Sequence, residues 1–593
     1  MTLTESRKPP LRAPWQRRFL ICLLCSAWLV TFVRCFYVSD AGYDLTVQIQ
    51  AGQNLLTGRG LSVYLDNREG DDLAQPLVAR RLAHFPCGYS LYAAALIALG
   101  ASVSTVLKLY GAAFSLLGWW GWGRLALAYL GQGLEYSVLA RIGGCAFAGI
   151  GPLLLTPPWS GTDIFLWAVL PWVVLWLTQS REAFSRSGLG FCALAGAVCG
   201  LCVLMRYASL FLCVGCLLII LGQGIGLWRV LFARVAAFSV GFVPFFALQV
   251  YVVYTTPEAA PGGLSHASGL TETLARSLEA GGMLNAVNSL LFFWMPARTI
   301  DLLTATPGRF PWQWLVAACA FALPFLVAWK CSLRNFAAAC KDPRVAAAVL
   351  IPVLSLVLWG CMLLGSYNYL SDLRYYLPLI PLPVLVAWCL AEPQAGGGKI
   401  SQCVRSISWI YVLTALGIGI FGTTRLLHSS SEGESFRRMF VGTNWSSPWP
   451  SSRLNYERWP ARVYVADYLK EHPDTMLFTS FDSWFYADAT LDQSRIVRMV
   501  SYDLWQGKYF SGPVRLLFMV GDYGERELEF SLNQRFQGDS PRVVSLEGFP
   551  DARLIKQFPE SKIKVLEIQI PQGTRVPIPS ARQAESPSRL QSP

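Results

Sequence analysis

A chain of 593 residues has room for several soluble domains, but 53% hydrophobic residues, 15% charged residues and a mean hydropathy of +0.40 describe a chain whose main solvent is lipid. The net charge of +12 does not make a nucleic-acid surface, because Lys and Arg stand singly or in pairs between apolar runs, without interleaved aromatics. The 16 cysteines all lie at or before Cys403. Pairs with CxxC spacing, such as Cys22/Cys25, Cys199/Cys202 and Cys213/Cys216, read as small apolar packing residues, since zinc would need thiolates deep in lipid.

In chain order, a basic N-terminus (1–18) precedes a first apolar run at 19–38, too long for a signal-peptide core and without a clear cleavage site after it. Further spans are expected at 105–126, 136–155, 163–179, 189–205, 207–222, 231–254, 312–330, 346–365, 374–391 and 406–424, which makes about eleven helices of bilayer-crossing length. With the N-terminus in the cytoplasm, the inner loops hold Arg124 and Arg141, Arg181 and Arg186, Arg229 and Arg234, Lys330 to Arg344, and Lys399 and Arg405. That recurrence is the positive-inside pattern. Residues 86–100 are apolar but short, so they are expected as a re-entrant or interfacial helix. A full crossing there would turn every later basic loop outward. Residues 283–296 are read as a membrane-surface helix.

Two long outer loops result, 39–104 and 255–311. The first carries Asp40, Asp44, Arg80, Arg81 and His84, and the second His266, Glu272, Arg276 and Glu279. Carboxylates beside cations at a lipid surface suit deprotonation of a hydroxyl and reception of an anionic headgroup. Asp44 stands where a helix starts, and capping there is an alternative account of it. Asp163 is open to the same account. Arg206 closes a span, where snorkelling is the alternative, and Arg374 follows Asp372 closely enough for a local ion pair.

Several segments in order carry a family likeness. After Asp44 comes Ala51-x-x-Asn54-Leu55-x-x-Gly58-x-Gly60. Then follow Phe85-Pro86-Cys87-Gly88-Tyr89-Ser90-Leu91, Gly161-Thr162-Asp163-Ile164-Phe165, Gly196-x-x-x-Gly200-Leu201-x-x-Leu204-x-Arg206, and Arg374-Tyr375-Tyr376-Leu377-Pro378 with Pro381. Together they resemble GT-C membrane glycosyltransferases of the aminoarabinose-transferase and protein O-mannosyltransferase type. Cys87 and Ser90 depart from the usual pattern of the second segment.

The resemblance implies an inverting glycosyltransferase that takes its sugar from a polyprenyl-phosphate donor at the outer face of a bacterial inner membrane. It implies Asp44 as general base, with Asp40 as substitute. Arg206 and Arg374 would bind the donor phosphate, with Arg276, Arg80 and Arg81 as further candidates. Asp163 and His266 would serve the acceptor or a metal, and a divalent cation is left open as a cofactor. The acceptor is a lipid, glycan or protein. A transporter or flippase of lipid-linked glycans is the rival class; no internal repeat of spans supports it, and the large loop at 39–104 exceeds a connection. A membrane-anchored scaffold would leave the outer carboxylates without a task.

The transmembrane part is expected over 19–425. From 426 apolar runs shorten and a small extracytoplasmic α/β domain (426–572) is expected, with a helix at 462–471, strands at 475–480, 496–500, 514–520 and 562–570, and a helix at 524–536. It holds no nucleotide-binding loop or metal cluster. Residues 573–593 have the composition of a disordered tail.

Overall fold

The computed structural model describes residues 43–64, 72–82, 85–130, 162–182, 186–223, 227–254, 351, 453–479, 483–498, 508–520, 553–559 and 563–575. The expected spans at 19–38 and 136–155, those after residue 311 apart from Ile351, the loop at 255–311 and the helix at 524–536 lie outside the described residues.

Helix α1, Tyr43–Leu56, begins with Asp44 in its first turn. It stops where Gly58 and Gly60 take φ of 79° and 69°, conformations that a residue with a Cβ resists. The Asn54 amide donates to the Ser62 carbonyl at 2.8 Å and holds the exit turn. The chain then pairs β1 (Ser62–Val63) with β2 (Arg80–Arg81) antiparallel. The Tyr64 backbone N–H donates to Gln50 Oε1 at 3.0 Å, so β1 folds back along α1.

Helix α2, Gly88–Ala98, has 11 residues, about 16 Å long and half of a ~30 Å hydrocarbon core. It meets α3, Val103–Leu130, at an elbow of 120°. Gly100 (φ 89°) makes the elbow, with its N–H on the Ile97 carbonyl and the Ala101 N–H on that of Leu96, the paired bonds of a Schellman stop.

Four antiparallel-threaded helices follow: α4 (Asp163–Glu182), α5 (Arg186–Met205), α6 (Leu210–Gln223) and α7 (Trp228–Tyr254). Among the described residues, Gly188–Met205 and Trp228–Val252 are long and apolar enough to cross a membrane, and the bent α2/α3 pair makes a third candidate. Lipid supplies no hydrophobic drive between helices, so close approach must do the work. A Cβ on Gly196 would strike the Phe238 carbonyl oxygen, one on Gly200 would lie 2.9 Å from that of Phe242, and one on Gly241 would strike that of Ala193. Thus α5 and α7 run parallel at backbone distance. Helices α3 and α4 lock differently, through indoles: Trp122 Nε1 donates to the Trp167 carbonyl at 3.0 Å and Trp172 Nε1 to that of Leu117 at 3.1 Å.

The C-terminal part is a mixed five-stranded sheet in the order β4-β3-β5-β7-β6, formed by β3 (Thr475–Thr479), β4 (Ile496–Arg498), β5 (Val514–Val520), β6 (Arg553–Phe558) and β7 (Ile563–Ile570). Strand β3 pairs parallel with β4 and β5, while β7 pairs antiparallel with β5 and β6. The period of two splits its side chains. Leu477, Leu517, Met519 and Val565 face helix α8 (Arg453–Glu471) through Ala461 and Val465. Met476, Phe478, Leu516 and Phe518 face Leu73 and Leu77 of the first long loop. Helix α8 starts nine residues before the expected one and runs through Pro460. One missing N–H is tolerated because the next turn buries Ala461, Arg462 and Val465.

The loop and the sheet are therefore one assembly. Asp72 Oδ1 accepts from the Ser511 N–H at 2.9 Å, the Leu73 N–H donates to the Tyr509 carbonyl at 2.8 Å, and the Leu77 N–H donates to that of Ser494 at 2.7 Å.

Candidate functional site

Three of the motif segments, those around Gly52, Gly88 and Leu204, meet at α2. On one flank, a Cβ on Gly52 of α1 would lie 2.6 Å from the Ser90 carbonyl oxygen. On the other, a Cβ on Gly88 would lie 2.6 Å from the Leu204 carbonyl oxygen, at the end of α5. Each glycine admits a backbone where a side chain would collide, which gives Gly52 and Gly88 a steric reason to be glycine.

The end of α5 is held by an amide relay. Gln249 of α7, 3% exposed, accepts the Cys87 N–H on Oε1 at 3.0 Å and donates from Nε2 to the Tyr207 hydroxyl at 2.9 Å. Between these anchors Arg206 breaks the helix with extended backbone (φ −159°, ψ 122°), and a short 3-10 turn, Tyr207–Ser209, leads into α6. The half-buried Arg206 is thus set by its neighbours on both sides.

Asp44, half-buried, sits in the first turn of α1, eight residues before Gly52 and so about 12 Å along the helix axis from the contact with α2. Leu45 beside it and Met205 beside Arg206 belong to one continuous buried cluster with Tyr89 and Ala93. Asp163 opens α4. Because α4 and α5 pack together and only 183–185 separate them, the first residue of α4 and the last of α5 lie at one end of the pair, as do Asp163 and Arg206. Arg80 and Arg81 are paired with Val63 and Ser62 in the β1/β2 ladder, Arg80 half-buried and Arg81 exposed. Asp40, Arg276, His266 and Arg374 fall outside the described residues.

Three features escape a reading of the sequence. The first is Gln249, an amide inside an apolar helix, whose polarity within a span was the available signal. The second is a tyrosine group at the elbow: the rings of Tyr89 and Tyr110 meet edge-on at 4.9 Å, and Tyr92 lies 5.4 Å from Tyr110. The third is the convergence of the CxxC pairs Cys199/Cys202 and Cys213/Cys216, with Cys199 Sγ 3.8 Å from Cys216 Sγ and all four thiols buried. Among the described residues no group of three or more His, Cys, Asp or Glu is arranged to hold a metal.

The sheet also reaches this region. A 3-10 turn, Ser483–Ala487, packs on α1, and Gln53 Nε2 donates to the Ala487 carbonyl at 2.8 Å. The helix that carries Asp44 is thereby gripped by α2 on one flank and by the C-terminal sheet assembly on another.

No protein-family model matches the chain, and no curated protein does. Solved structures similar to it include the following two. ArnT from Cupriavidus metallidurans in the apo state has a TM-score of 0.44 and 14% identity, over 93% of this chain and 98% of that one. The archaeal oligosaccharyltransferase AglB from Archaeoglobus fulgidus, in complex with an inhibitory peptide and a dolichol-phosphate, has a TM-score of 0.40 and 13% identity, over 82% of this chain and 65% of that one. Scores of this size leave the functional argument with the chain's own residues.

Proposed function

We propose that the protein is a membrane glycosyltransferase that moves a sugar from a polyprenyl-phosphate carrier to an acceptor hydroxyl on the non-cytoplasmic side. The observation that supports this reading is the packing of three motif segments at α2, with the helix that carries Asp44 on one flank through Gly52 and the end of α5 before Arg206 on the other through Gly88. An acidic residue at the start of one helix against α2 and an arginine at the break that ends another are parts that such a transfer needs.

In this mechanism Asp44 takes the proton of the acceptor hydroxyl as that oxygen attacks the anomeric carbon, and the bond to the lipid phosphate breaks with inversion. Charge then grows on the phosphate, and Arg206, with Arg374, stabilises it through charge-assisted hydrogen bonds. Asp40 is the substitute base. Arg276, Arg80 and Arg81 are further phosphate contacts, and Asp163 and His266 serve the acceptor or a divalent cation. The C-terminal sheet holds α1 against the site and borders the acceptor's approach.

The test is transfer by the full chain in lipid vesicles from a set of radiolabelled polyprenyl-phosphate sugars. Asp44→Asn is expected to lower the rate by about 10²- to 10⁴-fold with the fold retained. Unchanged transfer in that variant removes Asp44 as the base. Movement of intact carrier across the vesicle, with no glycosidic bond formed, would replace the enzyme with a flippase.

A further inference from the structure

A cavity of about 290 Å³ opens in the C-terminal part, between the end of α8 and the starts of β3 and β4. Its polar wall is Lys470, Thr475, Thr490, Asp492 and Arg495, and its apolar wall includes Leu491 and Ile496. That volume stands at the lower end of the range for small-molecule sites, roughly 300–1,000 Å³, and suits one ring better than a lipid chain.

The cavity follows from the alternation of the sheet. Thr475 and Leu477 lie two apart on β3, and Leu477 packs with Leu491 and Ile496 on the side of α8. Thr475 therefore faces that side too, at the level where α8 has come to its end at Glu471. It is 1% exposed, and its hydroxyl has no hydrogen-bond partner among the described residues. A buried hydroxyl normally finds one.

The other polar groups are fixed by partners without being exhausted by them. Arg495 donates from Nη1 to the Asp474 carbonyl at 3.0 Å, and its Nε lies 3.5 Å from Asp492 Oδ2. Asp492 Oδ1 accepts from the Ser494 backbone N–H at 3.1 Å and from its hydroxyl at 2.6 Å. The Thr490 hydroxyl donates to Asp488 Oδ1 at 2.6 Å, which leaves its oxygen as an acceptor. A guanidinium has five N–H donors and a carboxylate about four lone-pair sites, so both keep capacity for a ligand. Lys470, 49% exposed, adds an ammonium at the rim.

The two cations are offset by Asp492 and by the carbonyl end of α8, whose dipole is negative there, so the field is not that of a phosphate site. Donors and acceptors instead stand side by side next to an apolar wall, with no aromatic ring among the lining residues. A nucleobase would lack its stacking platform. A pyranose fits, because each hydroxyl both donates and accepts while its C–H face is apolar.

We propose that this cavity binds a single pyranose residue, with Thr475, Asp492, Arg495 and Lys470 on its hydroxyls. Its use as a subsite for a glycan acceptor rests on the glycosyl-transfer reading. The segment that carries Thr490 to Arg495 also takes the Leu77 N–H on the Ser494 carbonyl, and just before it Ala487 takes the Gln53 amide of α1. A sugar held here sits on the assembly that grips the helix of Asp44.

The experiment titrates the full chain in lipid nanodiscs with methyl pyranosides of glucose, galactose, mannose and arabinose, followed by saturation-transfer NMR with no donor present. At least one is expected to bind in the millimolar range. Thr475→Val keeps the shape and removes only a hydroxyl without a partner, so its melting temperature should not fall. Thr475→Val and the surface change Lys470→Gln are each expected to weaken that glycoside about three- to tenfold, with Lys556→Gln on the exposed β6 unchanged. Equal affinity in wild type, Thr475→Val and Lys470→Gln would overturn the site, as would failure of all four glycosides at about 20 mM. Inorganic phosphate bound in their place would make it an anion site and overturn the sugar reading. Glycosides that fail while sugar transfer proceeds leave the enzyme standing without this subsite. Glycosides that bind a chain with no transfer leave the sugar site standing without the enzyme.

Discussion

Two of the seams among the described residues use different physics. The seam between α5 and α7 lies among apolar helices, where glycines at 196, 200 and 241 bring backbones into contact. The seam between the first loop and the C-terminal sheet is made of two buried leucines and a handful of backbone hydrogen bonds around Asp72. Where lipid competes equally for every apolar side chain, shape is the remaining lever. In water, burial of Leu73 and Leu77 contributes directly, about 1.5–3 kcal/mol for each side chain.

The sharpest way to break that comparison is Gly196→Leu. Its side chain has no room beside Phe238, and the cost should reach or pass ~3 kcal/mol, the upper part of the overpacking range. Loss of monodisperse protein in detergent is the expected outcome, and a normal elution profile would show that the seam can open. Next in size is Leu73→Asp, which puts a carboxylate against Phe478 and Phe518. Protease cutting within 72–82 should rise at least tenfold while the helices keep their far-ultraviolet signal.

Gln249→Leu comes third. It removes both ends of the relay between Cys87 and Tyr207 and should cost about 1–3 kcal/mol in thermal unfolding, with transfer falling more than stability because Arg206 loses its setting. Equal melting temperature and rate in Gln249→Leu would remove the relay from the mechanism.

The smallest effect is pH. Burial tends to raise the Asp72 carboxyl, but hydrogen bonds from Ser511, Ala74 and Gln75 outweigh it and hold the group below its ordinary value. A depressed carboxyl stabilises docking above its unfolded value, and that contribution fades as pH falls through the lowered one. Hydrogen exchange at Leu73 and Leu77 should therefore quicken in that acid window. In Asp72→Asn the exchange should be faster at neutral pH and lose its dependence on acid.

Much of the helical part was legible because apolar length and basic loops speak directly about bilayers. The shortness of the helix at 88–98 was legible in its apolar run, and the stop after α1 in Gly58 and Gly60. Strands β3, β5 and β7 announced themselves through β-rich apolar runs. Strand β6 did not, since its side chains are mostly exposed and no alternation marks it. The site was legible only as separate candidates. That Gly88 meets Leu204, or that Asp72 meets Ser511 across 439 positions, depends on the fold and leaves no local trace. The proposed parts of Asp44 and Arg206 rest on motif order, whereas Gln249 shows itself only through its burial and its two hydrogen bonds.

The borrowed cover of the sheet has a consequence for biosynthesis. Leu73 and Leu77 are translated long before β3 exists, so the loop stays unclothed until the final strands emerge. A chain that stops short of them leaves both leucines bare, a surface that quality-control proteases recognise, so closure of this one contact reports that the sheet has been made and has folded.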